Sequence, residues 1–159
     1  MCDGIPTPYL YDAVVKDEWL DENGHMNVAY YMSAFDDGGE VFFADPGIGW
    51  EYTRQEVGTV FVVSSKVDYF NELLAGQKFR VTSRLLEFNQ KMLNVYYEIR
   101  DAEDRVCARA EILYMHILFA TRKSAPMPAA VLSRLDEILT AHGELPKPKN
   151  LGTGVGIRK

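Results

Sequence analysis

Cysteine, histidine and net positive charge are all scarce in this chain, and each scarcity removes a class of chemistry. Two cysteines stand among the 159 residues, Cys2 near the start and Cys107 inside a strand-like run. So distant a pair argues against a structural disulfide and for a reducing compartment. The three histidines, His25, His116 and His142, have no HExxH or Cys/His spacing around them, so no metal site is expected. Ser64-Ser65 sits in a strand-like stretch without the G-x-S-x-G turn that exposes a serine nucleophile. The formal net charge is −6, and Lys and Arg form no continuous stripe of the kind that holds a phosphate backbone. Nucleic acid is therefore not an expected partner. No apolar run is long enough to span a bilayer, and MCDGIPTPYLYD lacks the basic and apolar regions of a signal peptide. The expectation is a cytoplasmic protein with no membrane partner.

What remains is an ordinary globular balance, 47% apolar and 25% charged, in a chain of single-domain length spanning 1–159. The tail 146–159 reads as extended. Its glycines at 152, 154 and 156 have no preceding strand and no Gly-Lys-Ser/Thr ending, so they do not make a phosphate loop. Lys147, Lys149, Arg158 and Lys159 give this tail a positive charge, which reads as a solvated terminus.

Periodicity then orders the chain. Residues 9–19 have the β-branched and aromatic content of a short strand. From Val28 the apolar period becomes helical, with Tyr31, Met32, Phe35, Gly39 and Phe42 on one face, to about Phe43 before Pro46-Gly47. Gly38 and Gly39 each cost roughly 1 kcal/mol of helix propensity against alanine, so a close approach by another element is expected there. Residues 47–58 read as a loop with a short helical turn. The period is two over 59–70, 78–88, 92–101 and 105–120, with short connections that make antiparallel neighbours. The last strand is long enough to require a bend or bulge. A helix follows over 128–142. The fold class is α+β, an antiparallel sheet with one long helix and a second helix at the C-terminal end.

Unusual chemistry is concentrated in DENGHMNVAYYMSAFDDGG, residues 21–39. Asp21, Asn23, His25 and Asn27 fall just before the helix, where unpaired backbone N–H groups collect partial positive charge. Asp21 in this position suits a general base or a nucleophile, and the Val28 backbone N–H suits an oxyanion donor, an arrangement fit for cleaving an activated acyl group. The same residues have a plainer reading, in which Asp21 and Asn27 cap a helix and His25 is structural.

D-E-N-G-H-M-N-V-A-Y-Y at 21–31 resembles the signature of the hotdog-fold acyl-CoA thioesterases, in which D-x-x-G-H-x-N precedes a long central helix. It is similar to the 4-hydroxybenzoyl-CoA thioesterase group. That resemblance implies a five-stranded antiparallel sheet wrapped around the helix, with Asp21 as the catalytic carboxylate and the Val28 N–H polarising the thioester carbonyl. D-x-N-x-H is also similar to the plant acyl-carrier-protein thioesterases, which implies supporting roles for Asn23 and His25; Asn27 completes the D-x-x-G-H-x-N signature as a further candidate site residue. In that group a second carboxylate follows a strand tyrosine by three residues, as Glu72 follows Tyr69 here; read from the sequence alone Glu72 is a strand-end surface glutamate. GHMNVAYY, FVVSSKVDYF and the GVGIRK ending resemble the betainyl-CoA thioesterase type associated with carnitine dehydrogenase.

The implied activity is hydrolysis of a small acyl-CoA thioester, with coenzyme A as part of the substrate and no cofactor. A homodimer or homotetramer is implied, with sites at the subunit interface. A quaternary ammonium group is held by aromatic faces and carboxylates, and Trp19, Tyr30, Tyr31, Phe35, Trp50 and Tyr52 surround the motif in sequence. Tyr30, Tyr31, Phe35 and Trp50 are the expected substrate contacts, against a plainer reading as core. The alternative function is a non-catalytic hotdog module that binds an acyl-CoA or other acyl ligand without needing Asp21.

Overall fold

The computed structural model describes residues 4–149, 151, 156 and 157. Five strands form one antiparallel sheet, β1 (Tyr9–Val14), β2 (Gly58–Tyr69), β3 (Lys78–Phe88), β4 (Met92–Asp101) and β5 (Val106–Leu118), in the order β1-β3-β4-β5-β2. Helix α1 (Val28–Ala44) packs on β1 and β3, a short α2 (Trp50–Arg54) leads into β2, and α3 (Ala129–Gly143) packs on β3. This is the expected α+β architecture, with a sheet laid against one long helix. No helix among the described residues is long and apolar enough to cross a membrane. The tail 146–159 is only partly covered. Residues 150, 152–155 and 158–159, including Gly152, Gly154, Arg158 and Lys159, lie outside the described residues, as does Cys2. Cys107 is buried as a free thiol.

Two boundaries differ from the periodicity. The first strand stops at Val14, where its pairing with β3 runs out at Lys78, and a 3-10 turn follows over Asp17–Trp19. The charged run Lys16-Asp17-Glu18 has no sheet neighbour that would bury one of its faces. The bulge expected in the last strand is real: Ile99 pairs with Ala108 but Arg100 pairs with Val106, so Cys107 is the extra residue of β5. Its backbone is thereby released from regular pairing.

Burial explains why α1 lies where it does. Tyr31, Ala34, Phe35, Gly38, Gly39, Phe42 and Phe43 face inward, and Phe35 and Phe42 are fully buried. Each such phenyl ring contributes about 2 kcal/mol of transfer free energy. The paired glycines set the closeness of approach. A Cβ on Gly38 would stand 2.7 Å from Val81 Cγ1, and one on Gly39 would stand 2.8 Å from the Tyr97 hydroxyl. That hydroxyl is already committed, 2.8 Å from the Tyr114 hydroxyl, and Ser83 donates to the Gly38 carbonyl at 2.8 Å. The sheet therefore rests on the helix backbone itself.

At the far end, α3 is fastened by its last-turn histidine. His142 is fully buried; its Nδ1 accepts from the Leu85 N–H at 2.9 Å, and its Nε2 donates to the Pro6 carbonyl at 2.9 Å. The Leu85 bond requires the neutral ring, because Nδ1 must keep its lone pair to accept it. Burial holds the His142 pKa below the ordinary histidine value, with the Arg84 guanidinium adding to the effect and Asp45 opposing it.

Two outcomes follow from this packing. Gly39→Ala should lower the urea midpoint by a net loss of about 1–2 kcal/mol, overpacking against Tyr97 outweighing the gain in helix propensity. As pH falls through the unfolded-state histidine pKa near ~6.5, the unfolded chain binds a proton that folded His142 refuses, so stability falls. Urea midpoints at pH 7.5 and 5.5 should show that loss, and His142→Asn should show less of it.

Candidate active site

The loop before α1 is closed by its own backbone. Leu20 and Met26 form an isolated antiparallel bridge, the Asp21 N–H donates to the His25 carbonyl at 3.1 Å, and the Gly24 N–H donates to the Asp21 carbonyl at 3.0 Å. This tight reversal puts Gly24 at φ +79°, the left-handed region that glycine occupies without strain. Asp21 Oδ1 accepts from the Asn23 N–H at 2.8 Å, which fixes the carboxylate. Met26 is buried and its N–H donates to the Leu73 carbonyl at 2.7 Å, tying the loop to the chain after β2.

Helix α1 then begins. Asn27 has extended backbone angles, and its side chain accepts from the Ala29 N–H at 2.9 Å, a regular N-cap. Val28 is the first helical residue, so its N–H has no acceptor within the helix. The sequence pattern placed Val28 on the inward face, yet its side chain is 57% exposed, because the helix starts beyond the edge of the core.

The opposite wall comes from the end of β2. The Phe70 and Asn71 N–H groups both donate to the Cys107 carbonyl, at 2.9 and 3.3 Å, and the Asn71 side chain donates to the Val106 carbonyl at 2.7 Å. The bulge in β5 thus turns residues 70–73 out of the sheet and toward the loop before α1. Between them lies a cleft of about 360 Å³ lined by Asp21, His25, Met26, Val28, Tyr31, Tyr69, Phe70, Asn71 and Glu72.

The structure therefore brings Asp21, His25, Val28, Tyr31 and Glu72 together, with Asn23 and Asn27 holding the loop and the cap behind them. Three expected aromatic contacts stand elsewhere. Tyr30 stacks on Trp19, ring centroids 5.3 Å apart, on the side of α1 that faces β3. Phe35 is fully buried against Tyr97, because the 3.6-residue period turns it toward the sheet. Trp50 begins α2 beyond the opposite end of α1, where its N–H donates to both Glu40 oxygens at 2.8 and 2.9 Å. Tyr52 likewise faces His116, their hydroxyl and Nε2 3.0 Å apart. Proximity in sequence misplaced them, since residues 30–52 run away along the helix. Phe70, Asn71 and Met26 went unrecognised; the break of strand alternation at the adjacent rings Tyr69-Phe70 was the available signal.

The electrostatics of the cleft are simple. His25 Nε2 lies 3.9 Å from Asp21 Oδ1, both partly exposed. Tyr31 is buried, which pushes its pKa up to about 12. It is a neutral wall rather than an acid or base. A larger groove of about 570 Å³ lies at the ends of β1, β3 and β4, with two of its arginines already paired, Arg80 with Asp12 at 2.6 and 2.8 Å and Arg100 with Asp104 at 3.4 Å. No helix N-terminus lines it. No group of three or more His, Cys, Asp or Glu among the described residues is placed to hold a metal ion.

Known proteins resemble this chain in sequence and in fold. Residues 15–135 match the thioesterase-like superfamily. The L-carnitine dehydrogenase/betainyl-CoA thioesterase of Rhizobium meliloti is 30% identical over 152 residues, covering 94% of this chain but 30% of that protein. The chain thus spans about a third of the length of that fused relative. The betainyl-CoA thioesterase of Pseudomonas aeruginosa is 25% identical over 148 residues, covering 92% of this chain and 93% of that one. Among solved structures, a Staphylococcus aureus protein in complex with CoA superposes with TM-score 0.84 at 22% identity, over 95% of this chain and 96% of the other. A putative thioesterase from Pseudomonas putida gives 0.80 at 23% identity, over 98% of this chain and all of its own. With its sheet-wrapped helix and the match over most of its length, the chain belongs to the thioesterase-like superfamily and has the hotdog fold.

Proposed function

We propose that the chain hydrolyses a small acyl-CoA thioester, with betainyl-CoA as its substrate. The observation that carries the reading is the pairing, on one cleft, of the Asp21 carboxylate with the free N–H at the start of α1. The thioester carbonyl oxygen lies against the Val28 N–H, where the helix terminus adds its partial positive charge as negative charge grows on oxygen. Asp21 acts on the carbonyl carbon, directly or by deprotonating a water. The Asn23 N–H occupies Oδ1 and leaves Oδ2 for that task. The tetrahedral adduct collapses with loss of the coenzyme A thiolate, a leaving group good enough to need no strong acid. In the direct route water then hydrolyses the acyl–Asp21 anhydride and restores the carboxylate, and in the water route Asp21 carries the proton until the products leave. The relatives' names and the aromatic, carboxylate-bearing walls both support betainyl-CoA.

The working unit is an assembly of at least two copies, joined along β2. This strand is the outer edge of the sheet and is 12 residues long, and Phe61, Val62 and Val63 on it are 41%, 49% and 48% exposed. An apolar edge of that length invites pairing with another strand, and a second copy presents the same edge in antiparallel register.

Asp21→Asn should lower the single-turnover rate on betainyl-CoA by about 10²–10⁴ while the substrate Kd changes little. Near wild-type turnover would contradict the assignment. Light scattering should give a dimer or tetramer for the wild type and a smaller particle for Val62→Lys; a wild-type monomer at micromolar concentration would count against the shared edge.

A further inference from the structure

The cleft is chemically lopsided, and the mechanism uses only one end of it. At the helix end stand Asp21, His25 and the Val28 N–H. At the strand end stand Tyr31, Tyr69, Phe70 and Glu72. The Tyr31 and Tyr69 rings meet edge to face, with centroids 5.2 Å apart and planes at 85°. Tyr69 is 46% exposed with its ring against Tyr31, whereas Phe70, 49% exposed, borders the cleft and turns its ring toward Arg109. Phe70 is steadied by the Arg109 guanidinium, 5.1 Å from its ring centroid.

Charge is as uneven as shape. No lysine or arginine lines the cleft, which holds two carboxylates and one histidine. The phosphates of coenzyme A find no partner there, so the cleft takes the acyl end of the substrate. Asp21 is engaged by the Asn23 N–H and by His25. Glu72 is exposed and forms no salt bridge among the described residues, and its charge is felt at the Tyr31 phenol. A neutral acyl chain gains nothing from an unpaired carboxylate beside the Tyr31 and Tyr69 rings. A quaternary ammonium, which cannot donate a hydrogen bond, gains from both.

We propose that Glu72 is a specificity-determining residue, whose carboxylate, with the ring of Tyr69, holds a permanent positive charge on the acyl group while Asp21 acts on the thioester. This rests on the acyl-CoA thioesterase reading above. It separates the two carboxylates of the cleft by task, Asp21 for the reacting carbon and Glu72 for the far end of the acyl group.

The test compares betainyl-CoA with 3,3-dimethylbutyryl-CoA, in which carbon replaces the quaternary nitrogen and the shape is kept without the charge. The readout is the ratio of kcat/KM for the two substrates, in the wild type and in Glu72→Gln. The wild type should prefer the cation on the order of tenfold, and Glu72→Gln should remove most of that preference, chiefly through KM for betainyl-CoA. Equal losses on both substrates would overturn the proposal and place Glu72 on the reacting atoms instead. A wild-type ratio near one would overturn it as well, leaving the thioesterase reading intact. Absence of turnover on every acyl-CoA would overturn that underlying reading, and the role of Glu72 with it.

Discussion

The cleft depends on one backbone hydrogen bond, from the Met26 N–H to the Leu73 carbonyl. Both residues are buried, and the bond joins segments that secondary structure alone would leave apart. On one side is the loop that carries Asp21 and ends at the start of α1. On the other is the segment that leaves β2 with Phe70, Asn71 and Glu72. A buried amide left without its acceptor costs about 1–3 kcal/mol, which favours the closed loop over any arrangement that parts the two walls.

Around that bond, three local devices put each group in place. The Cys107 bulge frees a carbonyl that takes the Phe70 and Asn71 N–H groups and steers the strand end outward. Gly24 permits the reversal that folds Asp21 back beside His25. Gly38 and Gly39 let the sheet rest on the backbone of α1, which fixes the height of the helix and therefore of its first N–H. The proposed catalytic arrangement is thus assembled from backbone geometry, and its side chains are few.

Much of this was legible in the sequence because it rests on local rules. The period of two over four runs and the period of 3.6 after Asn27 each specify an element, and the Gly38-Gly39 pair inside a helix signals a close approach. The Asp21 to Val28 spacing is short, so the motif carries its own geometry. What was not legible depends on long-range contact. That Glu72 faces Asp21 follows from the Met26 to Leu73 bond, which no local pattern encodes. The misplacement of Trp50 and Phe35 has the same origin: an aromatic residue near a motif in sequence is carried away from it along the helix. The end of β1 at Val14 was hidden too, since it is set by where β3 begins.

The central claim is that the thioester carbonyl sits at the start of α1 with Asp21 beside it. It is tested most directly by a crystal structure of the protein with an inert betainyl-CoA analogue in which a methylene replaces the thioester sulfur. The account predicts the ketone oxygen at about 3 Å from the Val28 nitrogen, with the Asp21 carboxylate facing the carbonyl carbon. A carbonyl bound away from the α1 N-terminus, for instance in the outer groove by Arg80 and Arg100, would contradict it.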